Sequence, residues 1–282
     1  MIYGIKAIAK YLLGKDCAGR NFAVFADDTM IVSYPRSGNT WTRFLIANLL
    51  HPDLDVSFTN IENLVPDTAA ISSRALKKIS RPRIIKSHEY FDHRYPRVIY
   101  IVRDPRDVAV SFYNFQRKYG QIDDNLPLDL YIDDLVHGRL NSKSWGTWGE
   151  NVASWVCTRG TNPQFLLLRF EDMLKDARRE LLRIAEFMAV PSSNTNIERA
   201  IKNCSADRMR QLEKQEQNQW AATKKHRKDI PFVGTATSGR GRAQLSVSSL
   251  QQIESAWGDL MASLGYSLAS TDAPTRVLSA IR

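Results

Sequence analysis

Along the chain, short apolar runs alternate with longer amphipathic segments. Residues 28–34 (DTMIVSY) predict a short buried strand, and residues 40–50 (TWTRFLIANLL) have the length and apolar density of a helix. PRSGN lies between them, so the order is strand, tight loop, helix. RVIYIV at 97–102 predicts a second strand, and VAVSFYNFQRKYG, after the turn RDPRD, a second helix. FLLLRF at 165–170 predicts a third strand, followed by EDMLKDARRELLRIAEFMAV, which reads as one strongly amphipathic helix. Strands alternating with helices imply an α/β fold, a three-layer sandwich whose central parallel sheet is covered on both faces. Residues 52–83 and 211–242 break this pattern. They read as long surface excursions, the kind of segment that serves as a lid or binding element.

Composition narrows the picture. With 282 residues, 43% hydrophobic and 24% charged, the chain has ordinary globular content and is expected to form one domain over residues 1–282. No apolar run approaches the roughly 18 residues that a membrane-spanning helix needs. The opening MIYGIKAIAKYLLGKD is interrupted by Lys6 and Lys10 and has no small-residue cleavage site. It predicts a packed amphipathic helix, with weak membrane-surface contact as the alternative. The three cysteines, Cys17, Cys157 and Cys204, form neither a CxxC pair nor a Cys/His cluster, which argues against disulfides and zinc and suits a reducing cytoplasm. A net charge of +9 would serve nucleic acid, an anionic membrane or a small anion. Much of it sits beside Gly, Ser and Thr in short loops rather than in one basic tail, which favours a small anionic ligand over nucleic acid.

Two loops carry candidate chemistry. SYPRSGNTW, residues 33–41, places a cation, Ser, Gly, Asn and Thr in the turn entering a helix, where unpaired amides and partial positive charge attract phosphate. It is not the nucleoside-triphosphate loop GxxxxGK[ST], since the Gly-Lys pair is missing. Taken alone, an ordinary helix cap reads as well as an anion site. The second loop, RDPRD after the 97–102 strand, reads either as a solvated charge cluster with Asp107 as helix-start acid or as a phosphate site built on Arg103.

Both loops resemble those of the cytosolic-type, 3′-phosphoadenosine 5′-phosphosulfate (PAPS)-dependent sulfotransferases. PRSGNTW is similar to that family's 5′-phosphosulfate loop. The resemblance implies a P-loop-like nucleotide-binding fold, with Arg36, Ser37, Gly38, Asn39 and Thr40 on the 5′-phosphate and Trp41 against adenine. The family usually has Lys where this chain has Arg36, which keeps the charge but cannot donate a proton, so its role would be electrostatic. YIVRDPRDVAVSFYNF, residues 100–115, resembles the 3′-phosphate motif and implies Arg103 and Ser111 as its ligands. RIIKSHEYF, residues 83–91, resembles the family's Lys, hydroxyl residue and His. It implies His88 as general base and Lys86 as a contact to the sulfuryl oxygens. His51, His93, His137 and His226 lack that context and are assigned to surface or packing.

Other segments extend or limit the resemblance. In FLLLRFEDMLKD, Phe170 stands where the family often has Tyr, keeping an aromatic face near adenine. Trp148 and Trp155, in a segment that also resembles the family, are expected in the core. Where the family closes the 3′-phosphate site with Arg-Lys-Gly, Phe232 and Val233 lead here into Gly234, Thr235 and Ala236. Arg240 and Arg242, freed by Gly239 and Gly241, are the expected replacements.

The implied activity is sulfuryl transfer from PAPS to a hydroxyl or amine of an acceptor, expected to be a small molecule, lipid or glycan. A sulfuryl group carries less charge than a phosphoryl group, so no metal is required, and no acidic cluster suggests one. Two rivals stay open: a P-loop-type nucleotide kinase, which would need Mg²⁺, and a non-catalytic module binding polyanions. The acceptor pocket is expected from segments 52–83 and 211–238. Phe58, Tyr90, Phe91 and Tyr113 would suit an apolar alcohol, phenol or lipid, or else pack in the core. Residues 242–251 only partly resemble the family's dimer motif, and the oligomeric state stays open.

Overall fold

A computed structural model describes residues 16–140, 144–220, 222–234 and 236–269. The predicted N-terminal helix lies outside them, as does Thr235. Four parallel strands, β1 (Thr29–Ser33), β2 (Ile84–Ser87), β3 (Arg97–Val102) and β4 (Phe165–Arg169), form one sheet in the order β2-β1-β3-β4. In register, Ile31 lies opposite Lys86 on one side and Ile99 on the other. The helices are α1 (Asn39–Leu50), α2 (Ile61–Leu64), α3 (Ser73–Leu76), α4 (Pro105–Lys118), α5 (Leu128–Val136) and α6 (Trp148–Arg159). They continue as α7 (Phe170–Lys175), α8 (Ala177–Phe187), α9 (Asn194–Asn203), α10 (Ala206–Glu216), α11 (Arg240–Gln244) and α12 (Val247–Ser263).

Strand pleating sorts the side chains into two cores. Met30, Val32, Val98, Tyr100 and Val102 pack with α4, α5, α6 and α12, including the fully buried Trp148 and Trp155. Ile31, Ile99, Ile101 and Leu168 pack on the other face with α1, α8, α9 and α10. Burial on both faces is why the central strands read as unbroken apolar runs. Because β2 and β3 lie on opposite sides of β1, the chain changes direction between β1 and β3. At such a switch point the loops leaving the carboxyl ends part and open a crevice. Arg36 follows β1 there and Arg103 follows β3.

Three expectations change. The single helix predicted beyond β4 is two, α7 and α8, because Asp176 leaves helical geometry (φ −147°, ψ 77°) and its carboxylate accepts from the Arg179 amide to cap α8. Phe170 opens α7 rather than ending the strand, Arg169 being the last paired residue. The excursions are also less superficial than expected. Val56, Phe58, Ile61 and Val65 are buried from the first, and Trp220 from the second. Residues 66–68 extend the sheet edge: the Lys86 amide donates to the Pro66 carbonyl at 2.8 Å, and the Thr68 amide to the Lys86 carbonyl at 3.1 Å.

Candidate active site

β1 runs through Tyr34 and Pro35 into Arg36, Ser37 and Gly38 before α1 begins. Arg36 and Gly38 take left-handed conformations, at φ 67° and 100°. A Cβ on Gly38 would fall 2.4 Å from Cδ2 of Phe170, so glycine is required both by the turn and by the ring lying on it. Gly38→Ala is expected to cost about 2 kcal/mol or more and to lower the thermal midpoint by several degrees, measured by calorimetric unfolding. An unchanged midpoint would show that the ring gives way freely. No side chain caps α1, so its first amides keep their donor capacity for a ligand. The buried Asn39 side chain turns back instead, donating to the Ile31 carbonyl at 3.3 Å and to Ser33 Oγ at 3.2 Å, where it braces β1.

Arg103 reaches the backbone of this loop from the turn after β3. Arg103 Nη1 donates to the Arg36 carbonyl at 3.2 Å and Nη2 to the Thr237 carbonyl at 3.4 Å, with its carbon 4.4 Å from the Phe170 ring centre. The Trp148 indole donates to the Arg103 carbonyl at 3.1 Å, so core packing fixes the turn after β3. Arg36 Nε donates to Ser111 Oγ at 3.1 Å and Nη2 to the Phe232 carbonyl at 3.0 Å, between the rings of Phe115 and Phe232. Burial, and then the charge of Arg103, lower the Arg36 guanidinium to about 10, which leaves it charged at neutral pH. Ser37 Oγ and Arg103 Nε are buried without a hydrogen-bond partner. Asn39 Oδ1 is buried without a partner as well, and because buried polar atoms are normally satisfied, the two orphaned donors, Ser37 Oγ and Arg103 Nε, are available to a ligand.

Beyond β2, His88 Nδ1 lies 2.7 Å from the Ser33 carbonyl, an acceptor only. The proton therefore sits on Nδ1, and Nε2 presents a lone pair. Burial, and next the Lys86 charge, lower the imidazole to about 3, against opposing contributions from Asp67 and the Ser33 carbonyl. The Trp145 ring stands edge-on to it at 6.3 Å. Lys86 Nζ is 2.5 Å from Asp67 Oδ2. Burial on its own would raise the Asp67 carboxyl, but Lys86, Arg43 and His88 outweigh it and hold the group at about 2. Asp67 carries no motif signal, because its partnership depends on the edge pairing of residues 66–68 with β2.

The late segment closes over the site through acidic anchors. Glu213 accepts from the Phe232 and Val233 amides at 2.6 and 2.8 Å, while Lys118 Nζ donates to the Arg227 and Ile230 carbonyls at 2.7 and 2.6 Å. Asp107 accepts from the amides of Gly239 (2.9 Å) and Gly241 (2.6 Å) and lies 3.7 Å from Arg103. The glycine loop is thereby tied to the base of α4, beside Arg103. Trp41 Nε1 donates to the Cys204 carbonyl at 2.9 Å, and its ring meets Phe170 edge-on at 5.9 Å.

Arg36, Ser37, Gly38, Arg103, Ser111, Phe170 and Trp41 thus share one neighbourhood, with Lys86 and His88 next to it across Ser33. Thr40 sits half-buried in the first turn of α1, and Arg240 opens α11 just after the anchored Gly239. Arg242 is committed elsewhere, its guanidinium bonding the carbonyl and hydroxyl of Ser267. Asp67, Glu213 and the anchoring role of Asp107 are the parts of the site that sequence reasoning missed. Among the described residues no group of His, Cys, Asp or Glu is arranged to hold a metal ion, and no helix is long and apolar enough to cross a membrane.

A family model described as a sulfotransferase domain matches residues 26–265. Sulfotransferase 1E1 of Bos taurus is 29% identical over 204 residues, covering 67% of this chain and 68% of its own. Sulfotransferase 1A1 of Mus musculus is 24% identical over 258 residues, covering 86% and 87%. Among solved structures, retinol dehydratase in complex with retinol and PAP has a TM-score of 0.74 at 19% identity, covering 89% of this chain and 85% of its own. Mouse sulfotransferase SULT7A1 complexed with PAP has a TM-score of 0.68 at 20% identity, covering 91% of each. The structural likenesses speak for the fold, a central parallel sheet between helical layers. The family match spans both phosphate-type loops, β2 with His88, and the late segment, and it makes the chain a member of the sulfotransferase family, enzymes that transfer a sulfuryl group from PAPS to an acceptor.

Proposed function

We propose that the crevice between β1 and β3 binds PAPS, with the 5′-phosphosulfate on the 36–40 loop and the 3′-phosphate at Arg103 and Ser111. One observation carries this reading: the Arg103 guanidinium, 3.2 Å from the backbone carbonyl of Arg36, and the loop hydroxyl of Ser37 each keep a buried donor atom without a partner, Arg103 Nε and Ser37 Oγ. Trp41 and Phe170 offer the aromatic faces for adenine, and Arg240 supplies charge from the loop that Asp107 anchors. Arg242, engaged with Ser267, is better suited to holding α11 in place.

The donor supplies an activated sulfuryl group. As the acceptor oxygen bonds sulfur, the S–O bond to the 5′-phosphate breaks in line and PAP departs with its electron pair, and Arg36, Lys86 and the α1 amides stabilise the negative charge that grows on the leaving oxygens. His88 takes the acceptor proton at Nε2, since Nδ1 is committed to Ser33. The acceptor is proposed to be an apolar alcohol, phenol or lipid hydroxyl. Trp145 and the half-buried Tyr90 near His88 favour this class, and one structural neighbour is complexed with retinol. The chain is further proposed to act as one domain in the cytoplasm, in keeping with its three free cysteines.

Calorimetry with adenosine 3′,5′-bisphosphate (PAP) tests the donor site, with saturable one-to-one uptake expected. A labelled-donor screen across phenols, sterols, lipids and glycans tests the acceptor class. A chain that takes up no bisphosphate, or that turns over ATP with Mg²⁺ instead, would overturn the reading.

A further inference from the structure

Asp67 stands at the reacting end of the site, yet no motif marks it. Its backbone is held by the pairing of residues 66–68 with β2, and its amide donates to Glu62 Oε2 at 2.9 Å. Both carboxylate oxygens are engaged. Oδ1 accepts from the Ala69 amide at 2.9 Å, and Oδ2 accepts from Lys86 Nζ at 2.5 Å. Glu62 in turn pairs with Arg43 at 3.0 Å, and Arg43 Nε donates to the Val65 carbonyl at 2.9 Å. Arg43 is a buried residue of α1, the helix that opens at the anion loop. A continuous set of bonded groups therefore runs from that helix to the Lys86 ammonium.

A lysine ammonium rides on a flexible four-carbon stem and can sweep a wide arc. Here only 10% of the Lys86 side chain and 15% of that of Asp67 are exposed, so the pair is partly desolvated and its geometry matters. Lys86 lies in β2 and His88 directly after its last residue, and the lysine charge acts on the imidazole. With both oxygens occupied, Asp67 is poorly placed to take a proton from an acceptor itself. It is well placed to aim a cation.

We propose that Asp67 is a positioning residue of the transfer reaction, holding the Lys86 ammonium beside His88 where the sulfuryl group of the donor arrives. The inference rests on the donor reading above. It assigns the conformation of Lys86 to a carboxylate supplied by a separate segment of chain. The same carboxylate offsets the Lys86 charge felt by His88, so a cation is delivered without penalising the imidazole by its full charge.

The test uses the full chain and two probes without acceptor, PAPS and PAP. PAP lacks the sulfuryl group, so the ratio of the two dissociation constants isolates contacts made to that group. Lys86→Met is expected to weaken PAPS binding about tenfold while changing PAP binding less than about twofold. Asp67→Asn, nearly isosteric and still able to accept from the Ala69 amide, is expected to shift the ratio by a similar factor. Asp67→Glu should recover part of it. The double variant should be no worse than Lys86→Met alone, since Asp67 acts through Lys86. The proposal is overturned if Asp67→Asn leaves the ratio at its wild-type value, weakens both probes equally as a mere brace would, or adds its full effect to Lys86→Met. A wild-type chain that binds neither probe overturns the donor reading itself, a separate result from a failed cycle.

Discussion

His88→Ala is expected to lower transfer by about 10²–10⁴-fold while leaving PAP affinity within about twofold. The split follows from the geometry. The imidazole is tied to β1 through Nδ1 and the Ser33 carbonyl, and it makes no hydrogen bond to Arg36, Ser37, Arg103 or Ser111. Removing it deletes the lone pair proposed to accept the acceptor proton and leaves the loop after β1 and the turn after β3 unchanged. The pH dependence gives a second check. Desolvation and the neighbouring Lys86 hold the imidazole at about 3, below its ordinary value near 6.5. The neutral form is the one able to accept a proton. A depressed pKa keeps that form populated as pH falls through 6.5, and it is lost only as pH approaches about 3. The profile of kcat/KM against pH should therefore show no acid limb near 6.5. A limb there that disappears in His88→Ala would mean that the imidazole is solvated and titrates normally. Retained turnover in His88→Ala would remove it from the chemistry.

The central strands and the loops leaving β1 and β3 could be read from the sequence because their signals are local. β1 and β3 are buried on both faces and so appear as unbroken apolar runs, and the turn after β1 places Arg, Ser and Gly side by side while that after β3 alternates Arg with Asp. β2 was harder to recognise, having four residues with Lys86 among them. The break at Asp176 was hidden because the apolar period continues across it, and only the bond from its carboxylate to the Arg179 amide reveals the cap. Side-chain direction was the least legible property. Asn39 lies in the anion motif yet bonds backward to Ile31 and Ser33, and Arg242, expected at a phosphate, bonds Ser267. The acidic anchors escaped for the same reason. Asp67, Asp107 and Glu213 meet partners that are distant in sequence, and such meetings are set by tertiary register rather than by any local pattern.

Arg103→Ala is expected to weaken PAP binding about 100-fold, measured by calorimetry. Hydrogen bonds to charged groups are worth roughly 1.5–3 kcal/mol each, and a guanidinium fork on a phosphate makes two, so a loss of about 3 kcal/mol is a conservative sum. Two further effects are smaller. Removing Arg103 relieves the like-charge repulsion that helps to lower Arg36, but burial is the larger cause of that lowering and remains. Removal also takes away the cation 3.7 Å from Asp107, but that carboxylate keeps the amides of Gly239 and Gly241, so the late loop stays anchored and the chain still folds. Arg103→Lys separates charge from shape. It retains a cation over Phe170 but not the planar fork, and should lose about tenfold. Should both variants bind PAP within twofold of wild type, Arg103 would face a different ligand from Arg36, and the shared crevice between β1 and β3 would no longer explain the orphaned donors Ser37 Oγ and Arg103 Nε.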